Sequence, residues 1–215
     1  MTRELTEIFA QQITITTPEG WAEYLLNACG YNVGYVEPPA PDPQPPAVPQ
    51  WRPPIDDSAA WYCAVWHDPT GAKNGGYRHT GIDLNLAKPP FGDVERGYPI
   101  FAIGAGVVEA VHTTAGWLGF TVIRHEFEGA PLYTRYAHLD SMPLSAGDVV
   151  APGDLVGKIA NWTGGDGGDH LHFDMNTVPY TWGAWLTGGG WLDPVPVLRR
   201  MLGDDVVDAM LRKGA

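Results

Sequence analysis

Residues 100–140, IFAIGAGVVEAVHTTAGWLGFTVIRHEFEGAPLYTRYAHLD, decide the fold. Apolar and β-branched residues come in short alternating runs broken by Gly, Pro and Asp. Ile100–Ile103, Gly106–His112, Phe120–Arg124 and Leu132–His138 therefore read as strands. Downstream, Val149–Val150, Leu155–Ile159 and Leu171–Met175 continue the pattern. The gaps between runs hold too few residues for crossover helices, so the sheet is expected to be mainly antiparallel.

Composition agrees with many short elements. The 215 residues include Gly 27 and Pro 20, a turn-rich balance that argues against a helical bundle. With 44% apolar residues a sizeable core is available. No apolar run reaches the roughly 20 residues of a membrane-spanning helix. Lys+Arg 13 against Asp+Glu 25 leaves a net charge of −12, which repels phosphate backbones and excludes a nucleic-acid partner. The N-terminus, MTRELTEI, lacks a basic segment followed by an apolar one, so no export signal is expected. Cys29 and Cys63 are too few for a disulfide scaffold and read as small apolar residues.

Three segments flank the strands. Residues 1–36 read as a small helical piece, with Thr17 capping a helix that begins at Pro18 and stops at Gly30. Residues 37–54, EPPAPDPQPPAVPQWRPP, hold nine prolines in eighteen positions and read as a semi-rigid spacer. The domain carrying the chemistry is expected over residues 55–215. It should close with a helix from Pro194, capped by Asp193 with Val197, Leu198 and Met201 inward, and another from Asp204 to Lys213.

Histidines concentrate in the strand-rich part. In GGYRHTGIDLN, His79 and Asp83 stand four apart, in a segment that reads as loop or strand. In GGDHLHFDM, strand alternation puts His170 and His172 on one face, about 6–7 Å apart, with Leu171 and Phe173 on the other. YTRYAHLD puts His138 at the end of a strand. Imidazole and carboxylate ligands suit zinc, and an incomplete protein shell leaves room for a water acidified to a pKa of about 7. Surplus histidines then serve as general base or as donors to an oxyanion.

Taken in order, HTGID, IGAGVVEAV, YAHLD, AGDVVAPGDLVGKI and GDHLHFD resemble the lysostaphin-type (LytM-like) zinc endopeptidases of peptidoglycan, over roughly residues 75–175. The resemblance implies an antiparallel β-sheet groove with short flanking helices at both termini. It implies one Zn2+ per chain held by His79, Asp83 and His172, with His138 and His170 acting in catalysis. The implied substrate is a stem peptide or cross-bridge of peptidoglycan. An enzyme made in the cytoplasm without an export signal would reach the wall as a phage-type lysin or on a virion, and residues 1–36 would dock to a partner or to the wall. Three features depart from the family pattern: Asp169 before His170, where a small or imino residue is commoner, Asp174 in place of Glu, and an insertion over residues 176–191.

Rival readings stand beside these. A non-catalytic, peptidoglycan-binding or regulatory relative would share the fold, but here all five site positions are filled. AGDVVAPGDLVGKI also resembles biotinyl and lipoyl modules, whose modified lysine sits at a tight turn, whereas Lys158 lies inside a strand pattern. His67, His112 and His125 read as structural, and Tyr77 as packing. Asp174 either orients a ligand or is a solvated carboxylate, and Trp182, Trp185 and Trp191 either wall a groove or form local core.

Overall fold

Seven strand runs anticipated from sequence are present in the computed structural model. The chain divides after Ala47, and the described residues (50–55, 61–72, 78–86, 93–163, 168–181 and 189–212) lie in the second unit, Val48–Ala215. The expectations for residues 1–36, for residues 37–49, and for Tyr77, Trp182, Trp185, Lys213 and Gly214 fall outside the described residues.

The strands are β1 (Trp61–Val65), β2 (Gly81–Asn85), β3 (Pro99–Phe101), β4 (Gly106–Thr114), β5 (Leu118–Phe127) and β6 (Ala130–Asp140). They are followed by β7 (Val149–Val150), β8 (Leu155–Ile159), β9 (Leu171–Asn176), β10 (Trp191–Leu192) and β11 (Leu211–Arg212). They form one sheet in the order β11-β1-β2-β9-β6-β5-β4-β7, with β10 beside β9 and β8 joining β3 to β6. Among the described strands, β1 and β11 pair parallel and the other pairs run antiparallel. No helix of the described residues is long and apolar enough to cross a membrane.

Two short helices follow the sheet. α1 (Pro194–Leu202) starts with proline where no backbone donor is needed, and the Asp193 carboxylate accepts from Val195 N at 3.0 Å. Val197 and Leu198 are buried against the core, with Met201 packed beside them. α2 (Asp204–Met210) is shorter than expected. It ends at Met210 because Leu211 pairs with Trp61 of β1, where it is buried. A free strand edge and an apolar pocket outweigh one more helical turn. Lys158 lies in β8 with its side chain exposed, away from any tight turn, which removes the carrier-module reading.

The main core lies on one face of the sheet. Ile82 and Leu84 from β2, Tyr136 from β6, and Leu171, Phe173 and Met175 from β9 meet Val197, Leu198, Val207 and Met210 of the helices. All six residues of β9 are buried, so both of its faces are covered, as expected for a central strand.

The domain expected from residue 55 has described contacts from residue 51 onward. Trp51 forms a bridge with Gly104, Arg52 N donates to Ile103 O at 2.8 Å, and Phe101 N donates to Pro54 O at 2.8 Å. The proline carbonyl can accept even though its nitrogen cannot donate. Gly104 is what admits the strap: a Cβ there would lie 2.2 Å from the Trp51 ring.

Candidate metal centre

β2 and β9 run side by side, with Asp83 opposite His172 and Gly81 opposite Asp174. Gly81 permits this approach, since a Cβ there would meet Phe173 O at 2.2 Å. The segment that read as loop or strand is thus a strand preceded by a bridge between His79 and Asp68. Residues 79, 81 and 83 share one side of it, which brings His79 and Asp83 together.

Three donor atoms converge there. His79 Nε2 lies 3.0 Å from Asp83 Oδ1 and 3.1 Å from His172 Nδ1, and His172 Nδ1 lies 2.9 Å from Asp83 Oδ1. All three residues are buried. The opposite ring nitrogens are engaged: His79 Nδ1 donates to Trp66 O at 3.2 Å, and His172 Nε2 donates to Asp174 Oδ2 at 3.0 Å. Neutral rings in these tautomers aim two bare nitrogens and a carboxylate oxygen at one point. Bonds of about 2.0–2.1 Å to a tetrahedral zinc set ligand atoms about 3.3 Å apart, close to what these residues provide. Among the described residues this is the group able to hold a metal ion.

Electrostatics favour a cation. Burial opposes charge on Asp83, but hydrogen bonds with His172 and His79 outweigh it and hold the carboxyl well below the usual carboxylate range. Burial likewise opposes charge on His172, yet Asp174 and Asp83 raise its pKa overall, so a proton competes with metal at Nδ1 as pH falls.

Asp174 orients the ligand rather than facing solvent. It is fully buried and is ion-paired with the equally buried Arg135, and Thr80 Oγ1 donates to its Oδ2 at 2.8 Å. Burial raises its pKa and Arg135 lowers it, leaving it at about 2. Arg135 in turn faces the Trp117 ring at 4.1 Å and the Trp191 ring at 5.4 Å. Trp191 packs with Trp117 and Tyr180 against a second apolar cluster that includes Phe120, Tyr133 and Ala137.

The two remaining histidines stand beside the three ligands. His138 interrupts β6: the register with β5 shifts there, and its φ of 62° is left-handed. Such a bulge re-aims one side chain at a cost of order 1–3 kcal/mol. Its ring centroid lies 4.6 Å from that of His170 and 5.8 Å from that of His172. His138 Nδ1 donates to Trp117 O at 3.2 Å. Burial, then the neighbouring His170 and His172, push its pKa down to about 2, so the ring is neutral. His170 Nδ1 donates to Gly168 O at 2.9 Å, and its Nε2 lies 3.7 Å from Asp83 Oδ1.

The structure therefore brings together His79, Asp83, His138, His170 and His172. Two indoles that sequence reasoning missed bear on His138: Trp117 stacks at 5.5 Å with an 8° interplanar angle, and Trp162 lies at 4.0 Å. Arg135 was missed too, although its odd-numbered parity with Tyr133 and Ala137 on β6 was a usable signal. The histidines read as structural lie elsewhere. His67 contacts Thr80 O at 2.8 Å, His112 packs with Phe120 and Tyr180, and His125 bonds Ala105 O and Thr134 Oγ1. Cys63 is free, and its thiol donates to Val65 O at 3.4 Å.

Residues 77–182 match peptidase family M23. Among solved structures the chain is similar to LytU, with 22% identity and a TM-score of 0.51, covering 69% of this chain and 90% of that one. It is similar to cbpa from L. salivarius REN, with 17% identity and a TM-score of 0.52, covering 72% of this chain and 98% of that one. The antimicrobial peptidase lysostaphin from Staphylococcus simulans gives 19% identity and a TM-score of 0.50, covering 73% of this chain. The chain spans about half the length of the two longer lysostaphin structures it matches, 51% and 56%. At these identities the likeness shows the fold. No curated protein matches the chain.

Proposed function

Since residues 77–182 match peptidase family M23, we propose that this protein is a zinc endopeptidase acting on stem peptides or cross-bridges of bacterial peptidoglycan. The carrying observation is the convergence of His79 Nε2, Asp83 Oδ1 and His172 Nδ1, 2.9–3.1 Å apart, beside two further imidazoles. The motif resemblance supports the wall substrate.

Zinc held by these three residues would supply Lewis acidity toward a peptide carbonyl and toward water. His138, with its Nδ1–H committed to Trp117 O, presents Nε2 to take a proton from the attacking water. His170, anchored through Nδ1 to Gly168 O, presents Nε2 to the same space. It faces the oxygen that gains charge, and the proton taken up by His138 passes to the leaving amine. Asp174 holds the His172 ring so that Nδ1, not Nε2, faces the metal position.

The proposed setting is a phage-type lysin or a virion-borne wall-cutting enzyme, with residues 1–36 docking to a partner or to the wall. Whole-cell lysis from outside tests that setting. The activity itself is tested by digesting purified peptidoglycan of several cross-link types and reading the new termini by mass spectrometry. New peptide amino and carboxyl termini are expected, and new sugar reducing ends would refute the reading.

A further inference from the structure

Asp169, next to His170, is fully buried, yet its carboxylate bonds none of the site histidines. Oδ1 accepts from the backbone N–H of Trp162 at 2.6 Å, and Oδ2 accepts from Arg96 Nε at 2.8 Å. Arg96 Nη2 also donates to Asn161 Oδ1 at 2.8 Å and lies 3.2 Å from Asp93 Oδ2. The Asp169 carbonyl accepts from Asn85 Nδ2 at 3.0 Å, two residues beyond Asp83 on β2. One buried carboxylate thus ties together the turn carrying Arg96, the segment entering at Asn161 and the start of β9.

A carboxylate is buried only where donors replace its water, and here the replacements are Arg96 Nε and the backbone N–H of a residue that carries one aromatic side chain toward the site histidines. That side chain is the Trp162 indole, whose centroid lies 4.0 Å from the His138 ring and 5.7 Å from the His170 ring. Asn161 is fixed by Arg96, and Trp162 by Asp169 itself. With both anchored, the indole is set against His138 from a second segment, while the stacked Trp117 reaches His138 from the β4–β5 turn.

We propose that Asp169 is a positioning residue: it clamps the backbone at Trp162 so that the indole holds the His138 imidazole in its working orientation. This rests on the proposed role of His138 in proton transfer. The alternatives are that Asp169 merely anchors a connection, or that it acts through its chain neighbour His170.

The test combines a spectroscopic readout on metal-free protein with kinetics on zinc-loaded protein. Ring protons of His138, assigned by NMR in histidine-labelled protein, sense the ring current of Trp162. Asp169→Ala should move them toward their positions in Trp162→Ala, whereas Asp169→Asn, which keeps an acceptor for the Trp162 N–H, should leave them near wild type. Kinetically, Asp169→Ala and Trp162→Ala should each lower kcat by about 10–100-fold with zinc retained, the scale for a small misplacement of a catalytic group. The double variant should be no worse than either single one, because both changes remove the same contact. Unmoved His138 protons in Asp169→Ala, additive losses in the double variant, or full kcat in Trp162→Ala would overturn the proposal. Should Asp169→Ala fail to fold, Arg96→Gln carries the test: its half-exposed arm should shift the His138 protons in the same direction, and no shift counts against the clamp. If those protons move as expected but wild-type protein cleaves no peptide, the peptidase reading fails while the clamp stands.

Discussion

Leu171, Phe173 and Met175 point from β9 into the main core, each 0% exposed, whereas His172 and Asp174, their immediate neighbours, are just as buried on the opposite face. One face asks only that apolar volume be filled and water excluded. The other asks that each nitrogen and oxygen have a partner: Asp174 bonds His172, Arg135 and Thr80, and His172 meets Asp83 and His79. A strand two residues out of register would still bury apolar groups, but it would scatter the ligands. The polar face therefore selects among registers that the apolar face alone would tolerate.

The comparison breaks most visibly at the ligands. Asp83→Ala should abolish zinc-dependent hydrolysis while leaving the core face, and most of the fold, in place. Parallel measurement of activity and melting temperature checks this, and a collapse of both together would show that the faces are not separable. His138→Ala should lower turnover by about 10²–10⁴-fold with zinc still bound, as expected for a positioned acid–base group. Full turnover with zinc bound would remove His138 from the chemistry.

On the apolar face, Phe173→Ala should cost about 3–5 kcal/mol of stability, read by denaturant unfolding. Its zinc affinity under native conditions should change far less than in Asp83→Ala. A smaller sharpening comes from His125, buried and neutral away from the metal position. Burial lowers its pKa to about 4, and its bond to Ala105 O only partly offsets this. The unfolded chain takes up this proton near pH 6.5 and the folded chain does so only near pH 4, so its contribution is intact above pH 6.5 and lost as pH falls toward 4. The loss amounts to at most about 3 kcal/mol. His125→Gln should flatten the pH dependence of melting over that interval, and an unchanged slope would show that other groups set it.

Much of this was legible because strand alternation is local. Val149–Val150 and Leu155–Ile159 appear with the expected bounds, and the parity of His170 and His172 correctly put both on one face. β1, β10 and β11 were not anticipated. All three are fixed by partners distant in sequence: β1 by Asn85 and Leu211, β10 by Met175 and Asn176, and β11 by Trp61. The roles of Arg135 and Trp162 depend on which strands lie side by side and on hydrogen bonds closing across 39 and 73 residues, as between Arg135 and Asp174 or Arg96 and Asp169. Asp174 was visible as a candidate and undecided, because burial by Arg135 and Thr80 is not a property of its own strand.

The central claim is that His79, Asp83 and His172 form a single zinc site. Elemental analysis of protein purified with zinc supplied, beside Asp83→Ala and His172→Ala, tests it most directly. About one zinc per wild-type chain, with neither variant holding its metal through dialysis, is the result this structure predicts. A folded wild-type protein that holds no zinc, or variants that bind it as tightly as wild type, would contradict it.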